Sequence, residues 1–265
     1  MSSFLNKFTA FFERDLKIAF SYKFNLFIQV IWLLFMFLVI FFAFKGSSNI
    51  ENSSLSYLNA FLSLVSIDFM FSSLNVFSRE IRLAKTLGTF ESVLLTNTAF
   101  FTIIISSYAT TFFRMLLRTV LYLTVCKYFF YADLSFPDIF TVLLTFFFNS
   151  IPFIALGLIS GSLIIIFKMG DISNFIISLL SIFFSGIFFP INSLPAFMSS
   201  FGSLTPLNIC LETSKKVLDS NFVFADLLPF FKITFIEILL FLPLGIYMIN
   251  YAFKFAKKEG SLSFY

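Results

Sequence analysis

From Phe24 to Phe44 the chain carries no charged side chain, and Lys45 closes the run. About twenty such residues are what a helix needs to cross roughly 30 Å of hydrocarbon, and few soluble folds tolerate the pattern. Five further runs follow. About Leu55 to Ser78 holds Asp68 alone, about Ala99 to Cys126 carries Arg114 and Arg118, and Ile139 to Phe167 is uncharged but interrupted by Pro152. Ile172 to Phe189 is short, and the last run covers about Leu227 to Phe253, with Glu237 inside it. With 59% of 265 residues apolar and only 12% charged, no soluble core could hide this chain. None of the runs alternates with period two, which sets aside a membrane barrel. The expectation is an all-α integral membrane protein, one transmembrane domain over residues 1–265 with six membrane-spanning helices.

Lys and Arg beside those runs give the orientation, because cytoplasmic flanks collect positive charge. With the N-terminus inside, the inner segments hold Lys7, Arg14, Lys17, Lys23, Arg79, Arg82, Lys85, Lys168, Lys254, Lys257 and Lys258, and the outer loops hold Lys45, Lys215 and Lys216. Both termini are thus expected in the cytoplasm, in a multi-pass protein of the cell membrane. The net charge of +4 then reads as membrane topology and calls for no nucleic-acid partner. Residues 1–22 precede the first run and place Phe4, Leu5, Phe8, Phe11, Phe12, Leu16 and Ala19 on one helical face, as an amphipathic helix on the lipid surface does. The run from Phe24 is too long for a signal core and no small-residue cleavage site follows it, so it is read as a span.

The chain contains no His, no phosphate-binding GxxxxGK[ST] loop and no GxSxG turn. Cys126 and Cys210 lack metal-ligand spacing and are read as free thiols. Nothing in this inventory supports an enzyme, a resident metal or a cofactor, so any energy for work must come from a partner or an ion gradient.

Residues 79–98, "REIRLAKTLGTFESVLLTNT", lie between the second and third runs on the inner side. Charges alternate, Gly88 breaks the segment, and a short helix-like stretch resumes. Thr89 can cap that stretch, and Glu91 falls in its first turn, where the helix dipole favours negative charge. Val93, Leu94 and Leu95 offer a small apolar face fit for a groove on a second protein.

"GTFESVLLTNT" at 88–98 resembles the cytoplasmic coupling segment of ABC transporter permeases of the ABC-2 type. "KMGD" at 168–171, "SGIFFPINSLPAFM" at 185–198, "LTPLN" at 204–208 and "KKEGSL" at 257–262 resemble that family's pieces in the same order. Asn97 departs from it, since Pro is common there. The resemblance implies the membrane-spanning permease subunit of an ATP-binding cassette exporter, paired with a second permease copy, while separate ATPase subunits bind ATP and magnesium. Gly88, Thr89, Glu91, Leu94, Leu95 and Thr96 match the coupling motif and would touch the ATPase. The N-terminal helix would correspond to the family's connecting helix.

Pro190, Pro195 and Pro206 cut an apolar stretch too short to cross, so residues 190–210 are expected as a re-entrant hairpin on the outer side, the place of the family's outer lid. Gly157 and Gly161 share a face of the fourth run, a spacing that lets helices approach closely. Asp68, Arg114, Arg118 and Glu237 lie inside runs, where a lone charge costs about 2.5 to 3.5 kcal/mol, so Asp68 is expected to pair with Arg114 or Arg118. An ion-coupled secondary transporter or channel using Asp68 and Glu237 is the alternative reading.

Overall fold

The computed structural model describes residues 2–21, 53–86, 100–130, 136–167, 172–187, 191, 195–217 and 224–258, with the separate positions 28, 31, 35, 38 and 42. Its elements are helices: α1 (Ser2–Ser21), α2 (Ser53–Thr86), α3 (Phe100–Phe130), α4 (Phe136–Phe167), α5 (Ile172–Phe184), α6 (Ala196–Ser203), α7 (Pro206–Val217) and, after a 3₁₀ turn at Phe224–Leu227, α8 (Leu228–Lys258). The first apolar run lies largely outside the described residues.

Three helical stretches are long and apolar enough to cross a membrane among the described residues: Phe61–Arg82, Ile139–Phe167 and Ala225–Ala256. The stretch Phe61–Arg82 overlaps the second expected run and takes in Arg79. α3, which covers the third run, has 31 residues, and Ser106, Ser107, Thr110, Thr111, Arg114, Arg118 and Thr119 punctuate its described part. α5 has 13 residues, about 20 Å at 1.5 Å per residue, shorter than a hydrocarbon core.

Burial is inverted relative to a soluble protein. α5 exposes Phe175, Ile176, Leu179, Leu180 and Phe183 and buries Asn174, Ser178 and Ser181. Along α8, Phe235, Ile236, Leu239, Leu240 and Tyr247 are exposed, whereas Thr234 and Glu237 are buried. Apolar surface on this scale is stable only against lipid or another protein.

One core joins Phe61, Val65 and Phe69 of α2 to Met115 of α3, Val142 and Phe146 of α4, Cys210 of α7 and Leu227. A second joins Phe77 and Ile81 of α2 to Leu158 and Ile165 of α4 and to Ile249, Ala252 and Phe253 of α8. Early residues meet early residues and late meet late, so α2, α4 and α8 run in one direction. α3 runs the other way, since its Arg118 meets Asp68 while its Thr111 meets Arg79.

Two glycines set the distance between α2 and α4. A Cβ on Gly157 would stand 2.6 Å from the Leu74 carbonyl oxygen, and one on Gly161 would enter the Phe77 ring. The spacing read from the sequence thus serves packing within the chain. Polar clasps complete the bundle: Asn174 donates to Asn75 Oδ1 and Ser78 Oγ at 2.8 and 2.7 Å, and Thr234 donates to Asn149 Oδ1 at 2.9 Å.

After α5 the chain turns at Gly186, whose φ of +76° favours a residue without Cβ. α6 and α7 follow, joined at Leu204 and Thr205, and the joint lies beside the end of α5, with Thr205 Oγ1 2.8 Å from Gly202 O and 3.5 Å from Phe184 O. α7 then packs on α4 and α2, starting with Leu207 against Met70 and Phe153 halfway along those helices.

Candidate functional site

α2 places Asp68, Ser72, Asn75 and Arg79 four, three and four residues apart, which is one helical face. α3 answers with Ser107, Thr111, Arg114 and Arg118. Because the two helices are antiparallel neighbours, the rows meet as a polar seam inside otherwise apolar structure.

At one end, Arg118 Nη1 donates to Asp68 Oδ1 at 2.9 Å and Nη2 to Ser72 Oγ at 3.3 Å. Both side chains remain 25% exposed, so the pair borders a face of the bundle instead of being sealed within it. A charge-assisted contact of this kind offsets part of the cost of two charges in a span.

In the middle, Thr111 Oγ1 accepts from Arg79 Nη2 at 2.9 Å and from Arg114 Nη2 at 3.2 Å, and donates its own proton to Ser107 O at 2.8 Å. Arg114 therefore faces Arg79 and Thr111, one turn away from the Asp68 pair. At the other end, α1 joins the seam. Arg14 Nη2 lies 2.7 Å from Asp15 Oδ1 and 3.3 Å from Glu80 Oε2, and Ser107 Oγ donates to Asp15 Oδ2 at 3.0 Å. These contacts arise because α1 half-buries Phe8, Phe11, Phe12, Asp15 and Leu16 and packs on α3, leaving Thr9, Glu13, Arg14 and Lys17 exposed.

Glu237 stands apart from this network. It is 6% exposed on α8, and neither carboxyl oxygen has a hydrogen-bond partner among the described residues. One turn earlier, Thr234 holds Asn149 on α4, and across the same region Cys210 Sγ lies 3.9 Å from Ser66 Oγ. Of Asp68, Arg114, Arg118 and Glu237, three lie along the α2–α3 seam, and no hydrogen bond or ion pair among the described residues joins Glu237 to them.

Gly88, Thr89, Glu91, Leu94, Leu95 and Thr96 lie outside the described residues, as does Pro190. The upstream part of segment 79–98 is helical, continuing α2 to Thr86. Pro195 immediately precedes α6, and Pro206 is the buried first residue of α7, where a missing N–H is tolerated. The reading of the runs missed Arg79, Ser72, Thr111, Asp15 and Glu80 as members of the seam. The polar row at Asp68, Ser72, Asn75 and Arg79 was visible as helical periodicity. Its partner on α3 and the arrival of α1 had no local signal.

A helical bundle with apolar side chains turned outward, helical stretches of membrane length and a charged seam between two of its helices is an integral membrane component, with no catalytic constellation at the sites described. Residues 6–218 match the family model described as ABC-2 type transporter, so the chain belongs to the ABC-2 type transporter family and is a permease component of an ABC-type transporter. Compared with the curated proteins, the chain finds no match.

Proposed function

We propose that this chain is the permease subunit of an ATP-driven exporter, working with a second permease copy and with separate ATPase subunits that bind ATP and magnesium. The observation that carries the reading is the family match over most of the chain, joined to a fold whose N-terminal helix is tied to the end of α2 at Glu80 and to the first turns of α3 at Ser107. In this reading both termini are cytoplasmic, α3, α5 and the run from Phe24 complete six crossings in the plasma membrane, and the α6–α7 hairpin is the re-entrant outer lid. Closure of the ATPases would push on Gly88, Thr89, Glu91, Leu94, Leu95 and Thr96. Rigid helices would carry the displacement into the seam.

Of the two acids that an ion-coupled carrier could use, Asp68 is engaged by Arg118, which leaves Glu237 alone and weakens that alternative.

Co-expression with an ATPase carrying a phosphate loop, followed by purification in mild detergent, should yield a stable complex whose ATP hydrolysis responds to substrate. Glu91→Arg and Gly88→Leu should leave the permease in the membrane yet lower transport-coupled hydrolysis about tenfold, since each alters the cap or the dipole match of the coupling helix. Unchanged coupled hydrolysis in both variants removes the coupling assignment.

The topology has its own test. Cys introduced at Ala196 or Ser200, both exposed on α6, should react with an impermeant thiol reagent from outside the cell, and trapping the complex with ATP should change the rate. Labelling from the cytoplasmic side alone overturns the outer-lid placement.

A further inference from the structure

Arg79 and Arg114 are two cations that share one neutral acceptor. Both donate to Thr111 Oγ1, and neither has a carboxylate at ion-pair distance among the described residues. The acids nearby are already engaged: Arg14 contacts Asp15 and Glu80, and Arg118 contacts Asp68. Two guanidinium groups carry ten N–H donors between them, and in a membrane-embedded seam water replaces missing partners poorly. Arg114 Nε and Arg118 Nε are buried with no hydrogen-bond partner among the described residues. Arg79 also lies three residues from the end of the apolar stretch Phe61–Arg82, the depth at which a span passes from hydrocarbon to headgroups. Arg79 and Arg114 are partly exposed, so a ligand can reach them.

We propose that Arg79 and Arg114, with the free edge of Arg118 behind them, form a binding site for a phosphate group carried at headgroup depth. Phosphate fits the site because its oxygens accept from two guanidinium forks at once, whereas a lone carboxylate would saturate fewer donors. The ligand reduces the repulsion between the arginines and bridges α2 to α3. The site stands on its own geometry and is independent of what drives transport. Its failure would leave the family assignment intact.

The test measures binding to the purified full chain in neutral detergent by native mass spectrometry and thermal shift. The probes are short-chain phosphatidylglycerol, short-chain phosphatidylcholine and inorganic pyrophosphate. Phosphatidylglycerol should bind about tenfold or more tightly than phosphatidylcholine and raise the unfolding midpoint. Displacement of it by pyrophosphate identifies a site that recognises phosphate in free or cargo-borne form. Failure of pyrophosphate to displace it identifies a lipid-headgroup site. Arg79→Gln should lose that preference while keeping phosphatidylcholine binding. Arg114→Lys, which keeps the charge but loses the fork, supplies a second variant with an intermediate loss, so the result does not hang on the folding of one protein. Equal binding of the two lipids by the wild-type chain, or wild-type affinity for phosphatidylglycerol in both variants, overturns the proposal.

Discussion

Reversing Asp68 to Arg is expected to leave almost no monodisperse protein after detergent extraction, and reversing Arg118 to Asp should do the same. Each single change sets two like charges face to face in the seam, where the native contact is 2.9 Å. An unpaired charge inside a span costs at least about 2.5 to 3.5 kcal/mol, a large fraction of the stability of most domains. The quarter of each side chain that remains exposed softens this cost but does not remove it. Asp68→Arg combined with Arg118→Asp should recover at least half of the wild-type yield and unfolding midpoint, because the swapped pair restores the attraction at the same depth. Asp68→Arg combined with Arg114→Asp should recover much less, since Arg114 is held against Thr111. Equal recovery by the two doubles, read by fluorescence-detected size exclusion, would show that depth alone and not this contact sets the pairing.

Gly157→Leu should be comparably severe for a different reason. The obstacle to a new Cβ is the Leu74 carbonyl, backbone that cannot rotate away, so α2 and α4 must separate along their whole contact. Overpacking costs about 1 to 3 kcal/mol where side chains can yield, and more is expected here. Gly161 provides the control. A Cβ there meets the Phe77 ring, so Gly161→Ala should be destabilising alone and largely rescued by Phe77→Leu, whereas no side-chain truncation should rescue Gly157→Leu. Wild-type melting of Gly157→Leu would mean that the two helices are not packed as described.

In the proposed reading, these variants probe the helices through which a push from the ATPases would travel. α1 is joined to α2 through Arg14 and Glu80 and to α3 through Asp15 and Ser107. Displacing α1 therefore strains the end of the seam that lies about three turns from the Asp68 pair. A helix backbone transmits such strain because its hydrogen-bonded turns are stiff over this length.

How much of this could be read from the chain differs by element. Membrane residence, helical class and family were legible because each rests on local pattern: runs of apolar residues near twenty long, flanking charge, and short ordered motifs. Hydropathy counts residues without knowing which face they occupy, so it could not show that α3 gathers its polar residues on a seam with α2. α5, over the run read as short, has 13 residues. Arg118 as the partner of Asp68, the convergence of Arg79 and Arg114 on Thr111, and the isolation of Glu237 from all of them were decided only by tertiary structure. Depth along a span is set by residue count, so the sequence could bring Asp68 level with two arginines. Which one it meets depends on the rotation of α3 about its axis, and that rotation is fixed by packing against α1, α2 and α4, elements far away in the chain.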